Sequence, residues 1–408
     1  MKLNKKLSRF LLVGILAGTI IGCQTDANLN EDDLIEVENI TFKNTQVIPN
    51  QYTVRLKSNG KNVKKFPKVK SLGEYQTQMN DLQKEITRDF KSVVTPEAIQ
   101  KTYGHVFVGF TANLTKDQLE ALRRNPNVES IEQDFMFTIS PYAGKPGGNT
   151  GGSDPQVIPY GTTRVGGGSG ASSNTAWVID SGIDLDHEDL NVDVARSASF
   201  LTGSPSNLSP EDQNGHGTHV AGTIAAIDNS VGTVGVAPGN VVVAVRVLDR
   251  RGSGSNSGVI AGVDYVAANG SSGDVANMSL GGGISTALDN AVISAASTGV
   301  KFVLAAGNSA TDANSSSPAR ANGTNVYTIS AMDINDNFAS FSNYGSPVDY
   351  CAPGVAVRST WKSGGYNTIS GTSMAAPHAA GVLLFGNPTT DGTVNGDPDG
   401  NPDAIIHL

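Results

Sequence analysis

The chain has 408 residues, more than one domain ordinarily holds, so two or more folded units are expected. Its 47 glycines and 6% aromatic content suit a loop-rich α/β protein with closely packed backbone, and a net charge of −9 excludes the basic face that nucleic-acid binding requires.

The first nine residues, Met1 to Arg9, are basic, and the apolar run from Phe10 to Gly22 follows. That run falls short of the about 20 residues that span a bilayer and reads as a secretory signal. Its end, Ile20-Ile21-Gly22-Cys23, resembles a bacterial lipobox, which implies removal of residues 1–22 and lipidation of Cys23. An ordinary signal that happens to precede a cysteine is the plainer alternative. Residues 23–45, densest in charge at Glu31-Asp32-Asp33, suit a flexible tether to the membrane. The only other cysteine is Cys351, so a lipid on Cys23 leaves no internal disulfide. A secreted chain without one must rely on core size or bound ions. Cys351 sits in apolar sequence with no cationic neighbour and is expected to be buried and unreactive.

Residues 46–140 read as a small α+β domain. Strands are predicted at Tyr52 to Leu56, His105 to Phe110 and Val128 to Asp134, with a helix after Thr115 as its cap. The stretch from Lys57 to Thr102 leaves the strand register open. Residues 141–156 are rich in Gly and Pro and form a linker, the kind of segment where proteolysis concentrates. From residue 157 to 408 short apolar runs (Trp177 to Asp180, Val241 to Leu248, Asp274 to Leu280, Lys301 to Ala305) alternate with helical patterns (His219 to Ile227, Ser257 to Asn269, Thr286 to Thr298). Such alternation predicts a parallel sheet with helices on both faces. The segment Gly396 to Asp403 has calcium-like acidic spacing but lacks the glutamate of an EF-hand loop, so it reads as a turn-rich tail. The region after Gly386 holds no further long helical pattern.

Three motifs carry chemistry. Asp180 ends an apolar strand, where open α/β sheets build their sites. His216 lies in Asn214-Gly215-His216-Gly217-Thr218-His219, and Ser373 in Gly371-Thr372-Ser373-Met374-Ala375-Ala376-Pro377-His378; both are glycine turns into helical runs. A serine at a helix start presents its hydroxyl near free N–H groups, and it needs a histidine base oriented by a carboxylate. Asp184, Asp186 and His187 fall in the loop after Asp180 and are expected to face solvent, while His219 and His378 are expected to pack or hydrogen-bond.

The order Asp, His, Ser is that of subtilisin. With these motifs the chain resembles the subtilisin-like serine endopeptidases, nearest the proteinase K branch, over roughly residues 157–385. Gly109-Phe110-Thr111 and Asn125 to Glu132 resemble the inhibitory pro-domain that precedes such enzymes. The resemblance implies a subtilisin-like α/β fold behind a pro-domain that templates folding and then occupies the cleft as an intramolecular inhibitor, with self-cleavage near the linker. It implies Asp180, His216 and Ser373 as the triad, and Asn308 in Ala305-Ala306-Gly307-Asn308 as oxyanion donor.

Peptide substrates should bind as added strands, between Gly252, Ser253 and Gly254 on one side and Ser279, Leu280, Gly281 and Gly282 on the other. Gly281, Ala305, Ala306 and Gly307 would line a roomy pocket without a carboxylate, favouring apolar or aromatic residues. No cofactor is expected for catalysis. The same resemblance implies a structural calcium on Asp349 with the carbonyls of Thr324 and Val326, and a surface aspartate is the plain alternative. A monomer at the bacterial envelope, held by a lipid at Cys23, is the expected form. A catalytically silent surface binding protein with the same fold is the competing reading.

Overall fold

The computed structural model describes residues 37–38, 46–57, 65–139, 150–151, 155–203 and 205–408, all within one compact unit from Ile35 to Leu408. The expected signal 1–22, Cys23 and most of the tether lie outside the described residues. Among those described, no helix is long and apolar enough to cross a membrane.

The first domain contains β1 (Val37–Glu38), β2 (Gln46–Leu56), α1 (Leu72–Asp89), β3 (Ile99–Tyr103), β4 (Gly109–Asn113), α2 (Lys116–Arg123) and β5 (Val128–Thr138). Its sheet runs β1-β5-β2-β4-β3. Helix α1 fills the stretch whose register the sequence leaves open. Ser71 caps it by accepting the Glu74 N–H at 3.2 Å, and Tyr75, Met79, Leu82 and Ile86 form its buried stripe. Helix α2 closes on a reciprocal capping box between Thr115 and Gln118, as expected. The strand expected from His105 starts only at Gly109. The N–H groups of Gly104, His105 and Val106 all donate to one oxygen of Asp264 at 2.8–3.2 Å, so this stretch cannot also join a ladder.

The second domain holds β6 (Thr150–Gly151), α3 (Tyr160–Arg164), β7 (Ala176–Asp180), β8 (Asn191–Val192), β9 (Ala198–Ser199), α4 (Pro205–Leu208), α5 (His216–Ala225), β10 (Val241–Arg246), β11 (Ser253–Ser255) and α6 (Asn256–Asn269). It continues with β12 (Val275–Met278), α7 (Thr286–Ala296), β13 (Lys301–Ala305), β14 (Val326–Met332), β15 (Val348–Pro353), β16 (Val357–Trp361), β17 (Gly365–Ile369), α8 (Thr372–Leu383), β18 (Thr389–Thr393) and β19 (Ala404–His407). The large sheet has the order β18-β19-β15-β14-β13-β12-β7-β10-β8, with β9 also on β10. From β15 to β10 every pairing is parallel.

Successive strand residues point to opposite faces. Trp177 and Ile179 pack with Val259, Ile260 and Leu288 of α6 and α7, whereas Ala176 and Val178 pack with Val220 and Ala380 of α5 and α8. Both faces are therefore apolar, which is why these strands read as continuous apolar runs. The expected parallel sheet with helices on both faces, behind a small α+β domain, is the observed fold.

Gly396 to Asp403 is turn-rich, as expected, but an unexpected strand follows it. Strand β19 pairs in parallel with β15 through Cys351 and Ile405, and Ile405 and Ile406 are buried. Only these two bulky apolar residues mark the strand, too few for a periodic signal. Cys351 is buried and unbridged, as expected.

In the large sheet β7 lies between β10 and β12, so chain order reverses across it. Crevices for ligands form at the carboxyl end of such strands. Asp180 is the last residue of β7.

Candidate active site

Asp180 is fully buried, and both of its carboxylate oxygens face Nδ1 of His216, at 2.8 and 3.0 Å. One of them also accepts the Ser181 N–H at 2.7 Å, which ties the carboxylate to the backbone at the strand end. His216 is the first residue of α5, held after Gly215 at φ 110°. A side chain on Gly217 would come within 2.1 Å of the Gly182 carbonyl oxygen, so only glycine lets this first turn press onto the end of β7. Burial alone would push the His216 imidazole down, yet Asp180 beside it, with Asp212 behind, holds it above the ordinary histidine value. Its Nε2 is buried and has no hydrogen-bond partner among the described residues.

Ser373 is the second residue of α8, after Gly371. Its hydroxyl donates to the Ser279 carbonyl at 3.2 Å, while the Ser279 hydroxyl donates to the Ser373 carbonyl at 2.7 Å. Asn277 in turn donates to the Ser279 hydroxyl at 2.8 Å. The end of β12 and the start of α8 are thus clasped together. The serine hydroxyl rests on a backbone carbonyl rather than on the imidazole.

Asn308 lies opposite. Its Oδ1 accepts the backbone N–H of Thr372 at 2.8 Å and the Thr372 hydroxyl at 2.9 Å, and that hydroxyl also accepts the Gly307 N–H at 3.0 Å. With Oδ1 so held, the Asn308 amide nitrogen lies over Gly371, where an added Cβ would sit 3.3 Å from it. Asn343, unmarked in the sequence reading, supports the same loop. It donates to the Ala306 carbonyl at 2.9 Å and accepts the Ser309 N–H at 3.0 Å.

The cleft is filled by the chain itself. Strand β5 runs antiparallel along β11, pairing Met136, Phe137 and Thr138 with Ser255, Gly254 and Ser253. Ile139 N–H then donates to the Gly252 carbonyl at 2.9 Å. The buried Phe137 ring lies against Gly282, where an added Cβ would meet it at 2.7 Å. Gly252, Ser253, Gly254 and Gly282 therefore bracket an extended peptide, and Ser279 touches Ser373. Leu280, Ala305 and Ala306 are buried, and Gly281 and Gly307 lie in the segments that follow β12 and β13.

The α+β domain also closes helix ends in the second domain. Glu132 accepts from the Ala287 N–H at 3.1 Å, from the Ser285 hydroxyl and from Asn256, and Asp134 accepts the Ser257 N–H at 3.0 Å. These carboxylates sit at the N-terminal ends of α7 and α6, where the helix dipole favours negative charge.

Two expectations need correction. Asp184 and His187 do not face solvent: both are buried. Asp184 accepts the Gly364 N–H at 2.8 Å, and His187 Nε2 lies 3.0 Å from the Gly365 carbonyl. The hairpin of β16 and β17 covers the loop that follows β7, a long-range contact with no local signature. Asp186 is exposed, as expected. His219 and His378 are buried on the carbonyls of Val357 and Met374, the structural roles expected of them. Among the described residues no group of three or more His, Cys, Asp or Glu stands close enough to hold a metal. Asp349 accepts the Thr328 N–H at 2.8 Å, two residues beyond Val326.

Comparison with known proteins follows the same division. Residues 176–385 match the model of the Subtilase family and residues 51–140 that of Peptidase inhibitor I9. The chain is 46% identical over 293 residues to the alkaline serine exoprotease A of Vibrio alginolyticus, with 70% of this chain and 53% of that protein covered, so it spans about half of that relative's length. It is 40% identical to the alkaline serine protease ver112 of Corniculantispora psalliotae, covering 77% of this chain and 80% of that protein. It is 44% identical to proteinase T of Parengyodontium album, covering 63% and 85%. The crystal structure of a cold-adapted subtilisin-like serine proteinase superposes with a TM-score of 0.54 at 40% identity, covering 61% of this chain and 97% of that one.

Proposed function

The chain belongs to the subtilase family of serine proteases, and on that premise we propose that it is a self-processing endopeptidase whose triad is Asp180, His216 and Ser373. The observation that carries this reading is the two-oxygen contact of Asp180 with His216, at the start of α5, beside a serine at the start of α8, whose apolar residues pack in the same core. Asp180 fixes the tautomer with the proton on Nδ1, leaving Nε2 to take the Ser373 proton. Rotation of the Ser373 hydroxyl from the Ser279 carbonyl to Nε2 then readies it for attack on a peptide carbonyl. The oxyanion that forms is held by the Asn308 amide and the backbone N–H of Ser373, and His216 returns its proton to the leaving amine. Water repeats the sequence on the acyl-enzyme. None of these steps needs a cofactor.

The first substrate in this reading is the chain's own linker, residues 141–156, because β5 already lies in the cleft as a substrate would. Residues 46–140 would remain afterwards as an inhibitor. Calcium on Asp349 and the carbonyls of Thr324 and Val326 belongs to the same proposal: the donor set is all oxygen, and the β14–β15 pairing brings the carboxylate beside the strand that starts at Val326. A bound ion would staple those strands in place of a disulfide. Anchoring by lipid at Cys23 on the bacterial envelope, with the enzyme as a monomer, completes the reading.

Expression of Ser373→Ala in cells lacking other proteases should leave a full-length precursor. Normal processing of that variant would overturn the autocatalytic part. A serine-directed phosphonate should label Ser373 in the processed protein, and absence of label would favour the silent binding protein. Intact mass of the mature chain reads the Cys23 lipid and the processing site together.

A further inference from the structure

Behind the proposed triad stands a second buried carboxylate. Asp212 is 4% exposed and has no cation among its hydrogen-bond partners. It accepts instead from five donors: the Ser181 hydroxyl at 2.9 Å, the N–H groups of Asn214, Gly215 and Thr218 at 2.8, 2.9 and 3.0 Å, and the Thr218 hydroxyl at 2.6 Å. Two of those donors reach further. Ser181 accepts the Gly217 N–H at 2.9 Å, and Thr218 accepts the Asp184 N–H at 3.0 Å. Ser181, the residue after Asp180, and Thr218, two residues past His216, are therefore joined through one carboxylate, while Gly217 meets the Ser181 hydroxyl directly.

We infer that Asp212 is a positioning residue for the base of this site: it locks the first turn of α5 onto the strand end that carries Asp180, and its negative charge supports the imidazolium that forms on His216 during turnover. The inference rests on the triad reading above. Burying a carboxylate is costly unless donors surround it, and here four donors from the turn into α5 are joined by a fifth, the Ser181 hydroxyl past the end of β7, which a helix cap alone does not require. The charge also reaches the ring, since Asp212 contributes to the raised proton affinity of His216.

The charged and titratable groups around the pair are Asp180 on β7, Asp184 and Glu211 in the flanking loops, Arg246 on β10, His219 one turn along α5, and Lys362 beyond β16 on the Gln213 carbonyl. Asp180 touches the ring directly, and its effect is the larger. Arg246 feels the charge of Asp212, and its guanidinium donates to the carbonyls of Leu248 and Ser209 and to Gln213.

The test compares processed wild-type enzyme with Asp212→Asn and Thr218→Val, using a chromogenic peptide. In Asp212→Asn the acid limb of kcat/KM should move to lower pH, because His216 loses a supporting charge. Its kcat should fall about tenfold, with KM within about twofold. Thr218→Val keeps the charge and removes one lock, so kcat should fall with the limb unmoved. NMR titration of the His216 ring in the full-length Ser373→Ala chain reads the same shift without requiring processing. An Asp212→Asn limb coincident with wild type overturns the electrostatic part, and unchanged kcat in Thr218→Val overturns the positioning part even where Asp212→Asn fails to fold. His216→Ala is the control: retained activity there would overturn the triad reading itself, whatever Asp212 does.

Discussion

Asp180 and His216 meet through two oxygens and one ring nitrogen, at 2.8 and 3.0 Å, with both side chains almost wholly shielded from solvent. The relationship predicts a steep penalty for Asp180→Asn. The amide keeps the shape but presents the wrong hydrogen-bond pattern to Nδ1, and kcat should fall by about ten-thousandfold. The acid limb of kcat/KM should lie above the ordinary histidine value near 6.5 in the wild type, because activity requires neutral His216 and its pKa is raised. Steady-state pH profiles check both, and a fall of less than tenfold would remove Asp180 from the triad.

A side chain at position 282 should reshape the cleft. Gly282 lies under Phe137, and Gly282→Val would push into the space of that ring. Peptides that place an aromatic residue there should lose kcat/KM by at least about tenfold, while those with alanine there should be spared. Profiling with paired peptides reads the change. In the same pocket, Phe137→Ala in the separately produced 46–140 segment should weaken inhibition of the mature enzyme at least about tenfold, since a buried aromatic is removed.

Inhibition by the α+β domain should depend weakly on pH between about 4 and 6, because two buried groups oppose each other. Burial raises Asp264 to about 6, so its protonation favours the complex as pH falls through 6. Burial lowers His105 to about 4, so the complex is disfavoured as pH falls below the free value near 6.5. Removing one side exposes the other: with Asp264→Asn inhibition should weaken on acidification, and with His105→Gln it should strengthen. Inhibition constants at pH 4.5 and 7.5 decide it, and the same trend in both variants would refute the opposition.

Asp403 should destabilise the fold in alkaline buffer. Burial raises its carboxyl to about 7, and the Ser330 hydroxyl offers it relief while Asp397, Asp399 and Asp349 repel it. A raised acid loses stability as pH climbs from its unfolded value through the folded one. Asp403→Asn, which still accepts from Ser330, should therefore unfold at higher temperature than wild type at pH 8 and show no gain at pH 4. Calorimetry of the mature enzyme at the two values tests this.

Much of this architecture is written locally. The runs Trp177 to Asp180 and Lys301 to Ala305 are apolar on both faces because helices cover both, and a doubly covered strand shows itself in composition alone. The glycine turns before His216 and Ser373 are legible because Gly215 and Gly371 hold φ of 110° and 155°, a region in which side chains are strained. Helix α1 and strand β19 escaped because their buried faces are sparse: α1 spaces four apolar residues among polar ones, and β19 offers Ile405 and Ile406 alone. Asp212 escaped for a different reason. Its partners are backbone and hydroxyl groups brought together by the fold, and Asp212-Gln213-Asn214-Gly215 reads as an ordinary turn.

The pairing of β5 with β11 makes the two domains share a single hydrogen-bonded ribbon. Under the proposed self-processing, cutting the linker would separate the covalent chain and leave that ribbon whole. Such a protease would be born switched off, and its lag before activity would be a clock. The clock is set by how often the small domain unravels enough to be digested, so a substitution such as Thr115→Ala, remote from every catalytic atom, should shorten the wait.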